Sequence, residues 1–176
     1  FDIIDNLKPS WRNELEITDA LQILLSENNK ISYHIITDYW KDTGTPEDII
    51  NANRAILENK TSYFYGEKSD SVSLTGIVLI GKGTKILGNS QITGPVIVGE
   101  NCILDNVCIG PNCSIGNNSQ ITNSNIQNSI VMSDCIINTP IKIRNSIISS
   151  NSEIEFKNDS QDEKIFLLGE GTKILL

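Results

Sequence analysis

Apolar residues in the first third of the chain recur at two spacings. Between residues 16 and 30 they fall on one side of a helix, which Asn28 and Asn29 are expected to end. Residues 30–37 then alternate between apolar and polar side chains, which predicts a β-strand with three apolar residues on one face: Ile31, Tyr33 and Ile35. Together these patterns predict a mixed α/β segment.

A second helix is predicted over residues 45–60. Thr45 is a suitable N-cap, and Pro46 suits the first helical position because it has no backbone N–H to leave unpaired. Acidic residues follow at once, where the helix dipole favours negative charge. The predicted buried face consists of Ile49, Ala52, Ile56 and Leu57.

From about residue 72 the spacing changes to six. Aliphatic residues recur at Ile80, Ile86, Ile92 and Val98, and after a one-residue slip at Ile109, Ile115 and Ile121. Glycine and asparagine follow these positions, as turns with positive φ require. A six-residue repeat with one inward aliphatic side chain is typical of a left-handed parallel β-helix. The alternative, a β-sandwich with asparagine-rich turns, would show wider and less regular strand spacing.

The change in the spacing of apolar residues predicts a mixed fold with two domains. Residues 1–60 form the α/β part, residues 61–71 a linker, and residues 72–176 an all-β β-helix.

Composition narrows the class of protein. The chain has 14 Lys and Arg against 22 Asp and Glu, without a basic stripe that could follow a phosphate backbone, so nucleic acid is not expected as a partner. No apolar run is long enough to span a membrane. The start, FDIIDNLKPSW, lacks an initiator Met and the features of a signal peptide, and we expect a cytoplasmic protein whose sequence extends upstream.

Four cysteines lie at Cys102, Cys108, Cys113 and Cys135. Three of them are close enough to raise the possibility of a metal site, but their spacings are not those of zinc ligands and no His follows. Cys102 and Cys113 each stand four residues after an inward aliphatic residue, in the small-residue position of the repeat. This favours buried, reduced thiols.

Asp42 lies in the turn DTGTP, directly before the second predicted helix. A carboxylate in such a turn either caps the turn or holds a metal ion. The segments GKGTK (81–85) and GEGTK (169–173) are similar to phosphate-binding loops, but such a loop needs a strand before it and a helix after it. GKGTK lies inside the six-residue repeat, so we do not expect it to bind phosphate.

Three blocks of the chain resemble the long form of glucose-1-phosphate thymidylyltransferase. They are LKPSWRNELEITDALQ, YWKDTGTPEDIINANR and the hexapeptide repeats with GPVIVGENC and IGPNCSIGNNSQI, and the resemblance continues to LLGEGTKILL at the end. It implies the C-terminal piece of a Rossmann-like nucleotidyltransferase domain followed by a left-handed β-helix. The family's G-x-G-T-R phosphate loop and first metal-binding Asp are expected upstream of Phe1, so this chain alone is expected to be inactive.

The resemblance also implies roles for three residues. Asp42 matches the second Mg²⁺-binding Asp of the family, Trp40 an aromatic side chain of the sugar pocket, and Glu16 a carboxylate near the sugar. From the residues alone, Trp40 could equally belong to the core, and Glu16 to a solvated helix start. The implied reaction makes dTDP-glucose and pyrophosphate from dTTP and glucose-1-phosphate.

Two other functions are compatible with a β-helix. Many such proteins are sugar acyltransferases that use a His as general base, but the only His of this chain, His34, lies in the α/β part. The β-helix could also serve only for oligomerisation or regulation. Doubled apolar residues, as in IVLI, VIV and SIVM, predict outward apolar strips and hence a homo-oligomer, with a trimer favoured.

Overall fold

A computed structural model describes residues 2–155. The chain divides into two compact units, Phe1–Trp40 and Lys41–Leu176. No helix among residues 2–155 is long and apolar enough to cross a membrane.

The first unit contains helices α1 (Asp2–Asp5) and α2 (Ile17–Ser26). Asn28 has a φ of 60°, and its N–H bonds to the carbonyl of Leu25, while Asn29 bonds to the carbonyl of Leu24. This pair of bonds is a Schellman motif, which satisfies the last free carbonyls of the helix. The prediction that these asparagines end α2 is therefore confirmed. Of the predicted apolar face only Ala20 is buried.

The strand predicted over residues 30–37 is wrong. These residues form neither helix nor strand, and Tyr33 and Ile35 are 86% and 69% exposed. A strand exists only where its backbone bonds to a neighbour. Within residues 2–155 no strand pairs with this segment, although its apolar alternation is what a paired strand would show.

The second unit begins with helix α3 (Pro46–Glu58), whose predicted start is confirmed. The hydroxyl oxygen of Thr45 accepts a hydrogen bond from the backbone N–H of Asp48 at 3.2 Å, and Pro46 occupies the first turn. The predicted buried face is partly wrong, because Ile49 and Ile56 are exposed. The buried residues are Ile50 and Leu57, so the helix is rotated relative to the expected face.

The remainder of the second unit is a parallel β-solenoid with three sheets. The first sheet contains β1 (Tyr63–Phe64), β4 (Val78–Ile80), β7 (Val96–Val98), β10 (Cys113–Ile115), β13 (Ile130–Val131) and β16 (Ile147–Ile148). The second contains β2 (Glu67–Lys68), β5 (Lys85–Leu87), β8 (Ile103–Asp105), β11 (Gln120–Thr122), β14 (Ile136–Asn138) and β17 (Glu153–Glu155). The third contains β3 (Ser73–Thr75), β6 (Gln91–Thr93), β9 (Cys108–Ile109), β12 (Asn125–Gln127) and β15 (Lys142–Arg144).

Strands β1 and β2 lie within residues 61–71, which the sequence analysis assigned to a linker. Tyr63 pairs with Leu79 and Glu67 with Lys85, so this segment is the first coil of the solenoid. The backbone of this segment pairs with the next coil as in the rest of the solenoid. Its side chains lack the aliphatic repeat, so the sequence pattern did not predict the coil.

The predicted inward column is confirmed. Ile80, Ile86, Ile92 and Val98 are at most 1% exposed. Leu104 continues the six-residue spacing and is fully buried, so the slip falls between Leu104 and Ile109. The column then continues through buried residues of every later coil: Ile115, Ile121, Ile126, Val131, Ile137, Ile143 and Ile148.

Small polar residues fill one inner corner of the solenoid, where the chain passes from the first sheet to the second. Thr84, Cys102, Ser119 and Cys135 stack there and are fully buried. The Thr84 hydroxyl donates to the carbonyl of Gly99 at 2.7 Å and accepts from the N–H of Cys102 at 3.0 Å. A hydroxyl or thiol at this position therefore satisfies backbone groups of the next coil. Cys113 is also buried, which agrees with the small-residue position predicted for Cys102 and Cys113.

Asparagines occupy the outer corners in the left-handed conformation, as expected for turns that need positive φ. Their φ angles lie between 46° and 61°, at Asn101, Asn106, Asn112, Asn118, Asn123, Asn128, Asn145 and Asn151. Several also bond to the next coil, for example Asn118 Nδ2 to Asp134 Oδ1 at 3.0 Å. The corners therefore stack through their side chains as well as through the strands.

Candidate functional site

The turn that carries Asp42 is held by its neighbours. Lys41 Nζ lies 2.8 Å from Asp48 Oδ1, and the Thr45 hydroxyl donates to the other oxygen of the same carboxylate at 2.7 Å. The hydrogen bond from Lys41 lowers the pKa of Asp48, with Thr45 contributing in the same direction. Residues on both sides of Asp42 are thus fixed to the first turn of α3, while Asp42 itself is exposed.

Glu16 lies directly before α2, in the first compact unit. Its Oε1 accepts a hydrogen bond from the Ser10 hydroxyl at 3.0 Å, and its side chain makes no capping bond to the helix. Glu16 therefore closes the loop that precedes α2 through its bond to Ser10. Trp40, the last residue of the same unit, is 69% exposed and is not a core residue here.

Within residues 2–155 no group of three or more His, Cys, Asp or Glu side chains is placed to hold a metal ion. Asp42 can therefore offer one carboxylate and no more from this part of the chain. A single carboxylate fits Mg²⁺ when phosphate oxygens of a substrate and water molecules complete the octahedral shell of the ion.

The segment GKGTK forms the corner between β4 and β5, so a strand rather than a helix comes directly after it. Thr84 points into the solenoid and is fully buried, while the Lys82 carbonyl accepts a bond from the Asn101 N–H of the next coil. These groups are engaged in stacking the coils, and because the segment leads into β5 it does not form the helix N-terminus at which phosphate binds.

The other groups with possible chemistry are of two kinds. His34 is exposed in the unpaired segment after α2. Burial raises the pKa of the thiols of Cys102, Cys113 and Cys135, which keeps them protonated and unreactive. Cys108 is the exposed thiol of the four.

Helix α3 contacts the solenoid, which the sequence pattern did not predict. The Ser114 hydroxyl of β10 donates to Asn53 Oδ1 at 2.5 Å, and Arg54 donates to Asn128 Oδ1 at 3.0 Å. The signal that could have predicted this is the polar outward residue Ser114, because the strands on either side of it place Ile97 and Ile130 at the same position.

Comparison with known proteins finds similarity in the first part of the chain. Residues 1–59 match the nucleotidyl transferase family. The low-salt glycan biosynthesis nucleotidyltransferase Agl11 of Haloferax volcanii is 50% identical over 76 residues, which are 43% of this chain and 21% of that protein. The glucose-1-phosphate thymidylyltransferase of Streptomyces antibioticus is 39% identical over 92 residues, 52% of this chain and 26% of that protein.

The bifunctional protein GlmU of Methanococcus aeolicus is also similar, with 42% identity over 86 residues, 49% of this chain and 21% of that protein. The matches to all three relatives span about a fifth to a quarter of their lengths. The match to the nucleotidyl transferase family thus lies in the part of the chain that precedes the parallel β-solenoid.

Proposed function

We propose that this chain is part of a sugar-1-phosphate nucleotidyltransferase that makes dTDP-glucose and pyrophosphate from dTTP and glucose-1-phosphate. The observation that carries the proposal is the nucleotidyl transferase match over residues 1–59 on a chain that continues as a solenoid. The choice of dTTP and glucose-1-phosphate rests on the similarity to a thymidylyltransferase and on the order of the blocks, which resembles that of the long thymidylyltransferases.

In the proposed reaction a phosphate oxygen of glucose-1-phosphate attacks the α-phosphorus of dTTP. The new P–O bond forms as the bond between the α-phosphorus and the bridging oxygen breaks, and pyrophosphate leaves with that electron pair. Mg²⁺ would neutralise charge on the phosphates when bound. Asp42 would supply one of its carboxylate ligands, and its position is set by the fixed first turn of α3.

Two further residues are proposed for the sugar side. The exposed indole of Trp40 would pack against the apolar face of the sugar ring, and Glu16 would accept hydrogen bonds from sugar hydroxyls. The bond from Ser10 occupies one lone pair of Glu16 Oε1 and leaves the carboxylate with further acceptor sites. In this view residues 1–60 belong to the catalytic domain.

We also propose that the solenoid forms a homotrimer. Outward apolar side chains on or near its second sheet remain exposed in the single chain: Leu87, Ile103, Met132, Ile136 and Ile141. Burying such a strip against a copy of itself would remove it from water. The outward Leu79 on the first sheet does not need a partner chain, because it is only 3% exposed already.

The test is pyrophosphate release by the whole protein that contains this chain. Each of dTTP, UTP, ATP and GTP is paired with glucose-1-phosphate and with N-acetylglucosamine-1-phosphate in the presence of Mg²⁺. The proposal expects the highest kcat/KM with dTTP and glucose-1-phosphate. A clear preference for another pair would replace the assigned substrates, and no release with any pair would overturn the reaction class.

A further inference from the structure

Helix α3 belongs both to the region with the family match and to the compact unit that contains the solenoid. By sequence it lies in the matched nucleotidyl transferase region, which ends at residue 59. In the structure it forms one compact unit with the solenoid, and contacts strand β10 of the first sheet. The helix that begins four residues after Asp42, at Pro46, is therefore anchored on the solenoid.

One face of α3 makes this contact. Ile50, Asn53 and Leu57 follow one another at spacings of three and four, so they lie along the same side of the helix. Ile50 and Leu57 are 5% and 2% exposed. On the first sheet, the outward Leu79 is 3% exposed, so this position of the sheet is covered as well.

Two hydrogen bonds fix the helix within this apolar contact. Asn53 Oδ1 accepts from the hydroxyl of Ser114, the polar member of an otherwise apolar outward column. The next residue, Arg54, donates from Nη2 to Asn128 Oδ1 at the corner after β12. Apolar packing allows a helix to slide or rotate, whereas these two directional bonds define a single register and rotation.

The position of the Asp42 turn depends on this anchor. At a rise of 1.5 Å per residue, Asn53 lies about 12 Å along the helix axis from the N-cap Thr45. A tilt of about 10° at the anchor would then move the start of the helix by about 2 Å. The Lys41–Asp48 ion pair and the Thr45 cap transmit that movement to Asp42, since they tie its neighbours to the first turn.

We propose that Ser114 and Asn128 of the solenoid are positioning residues for the metal-binding carboxylate of Asp42, acting through Asn53 and Arg54 on α3. The inference rests on the proposed function, because it assigns the solenoid a part in the transfer reaction through the same turn. A displacement of a reacting group by about 1 Å can lower the rate 100-fold. A looser contact between α3 and the solenoid should therefore lower the rate through the position of Asp42.

The test compares Ser114→Ala with Ser114→Thr in the whole protein. The alanine variant removes the hydroxyl that bonds to Asn53, while threonine keeps a hydroxyl and suits a strand. A net hydrogen bond corresponds to a factor of about three to ten, so Ser114→Ala should raise the Mg²⁺ concentration for half-maximal rate by that factor. Ser114→Thr should keep the Mg²⁺ concentration for half-maximal rate close to that of the unchanged protein.

Ser73→Ala is the matched control. Ser73 is an exposed strand serine of the third sheet, and its variant should leave the Mg²⁺ dependence unchanged. A second measurement uses the 176-residue chain itself. Hydrogen exchange at the amides of residues 46–58 should be faster in Ser114→Ala than in Ser73→Ala, because the helix is less firmly held.

The outcomes separate this inference from the proposed function. Equal Mg²⁺ dependence in the Ser114→Ala and Ser73→Ala proteins, or unchanged exchange in α3, would overturn the positioning role. Full activity of Asp42→Asn would instead overturn the role of Asp42 in the reaction. Loss of activity in Asp42→Asn with a kinetically silent Ser114→Ala would refute this inference alone.

Discussion

The thiol of Cys102 donates to the carbonyl oxygen of Gly116 in the next coil, with 3.1 Å between Sγ and oxygen. Cys135, two coils further on, makes the same 3.1 Å contact with Ser149. These cysteines thus serve the same purpose as the Thr84 and Ser119 hydroxyls in their column, which is to satisfy a carbonyl at a buried corner.

Thiol reactivity follows from this arrangement. Cys108 is expected to react rapidly with a disulfide reagent at pH 7, while Cys102, Cys113 and Cys135 react only after unfolding. The physical reason is that burial excludes the reagent and raises the pKa of the three thiols, so little thiolate is present. Counting the released chromophore before and after adding guanidinium checks this. The Cys108→Ser protein should lose the rapid phase, and a second rapid thiol would contradict the burial.

Neighbouring isoleucines of β14 should differ sharply in their effect on stability. Ile137 is fully buried, whereas Ile136 is 43% exposed. Ile137→Ala removes core contacts and leaves a cavity, at a cost of about 2–5 kcal/mol. Measured at a concentration low enough for the single chain to prevail, Ile136→Ala on the outer face should cost well under half as much. Urea unfolding of the two variants provides the measurement, and equal midpoints would show that the inward assignment is wrong.

Asp42→Asn in the whole protein should lower kcat/KM by about 100-fold or more, since it removes one well-placed charge at the metal. The side chain keeps its size, so the folded state should be unaffected. Pyrophosphate release measures the rate, and the thermal midpoint provides the control. The 176-residue chain alone should show no turnover, and activity in either case would contradict the role given to Asp42.

The Asp48 carboxylate should make the start of α3 sensitive to acid. Its folded-state pKa is lowered, mainly by the hydrogen bond from Lys41, so its contribution to stability is complete above the unfolded value of 3.8. That contribution is lost as the pH falls through the lower folded value. Asp48→Asn should therefore lower the thermal midpoint slightly at pH 7, and this difference should shrink as the pH falls below 3.8. A difference that persists in acid would have another cause.

Light scattering at micromolar concentration should give the mass of three chains. The reason is the exposed apolar strip on or near the second sheet. Ile103→Lys places a charge in that strip and should shift the mass toward one chain, whereas Thr93→Lys on the third sheet should not. A single-chain mass for the unchanged protein would refute the trimer.

The inward column could be predicted because each of its members meets the same environment, the interior of a coil, at a fixed interval. A one-residue slip between Val98 and Ile109 was visible in the sequence as well, and the burial of Leu104 places it after that residue. The first coil was not visible in the sequence, because the segment around Tyr63 and Glu67 has no aliphatic repeat. Only the pairing of these residues with Leu79 and Lys85 identifies the coil.

In residues 1–60, local features could be predicted from the sequence, but features that depend on distant residues could not. Helix ends were predictable from local chemistry, as Thr45 and Asn28 show. Which face of α3 is buried depends on a distant strand, so the choice of Ile49 over Ile50 could not be corrected from the helix alone. Asp42 could be marked as a candidate from its turn, whereas its link to Ser114 through α3 required the three-dimensional structure.

The pairing of Val96 with Val78 in the preceding coil and with Cys113 in the following one shows that successive coils differ in length by one residue while the strands stay in register. A corner thus absorbs a deletion that would shift every side chain in a flat sheet to the wrong face. Such a fold can change in length during evolution one residue at a time, and the record of those changes accumulates at its corners while the interior column keeps its composition.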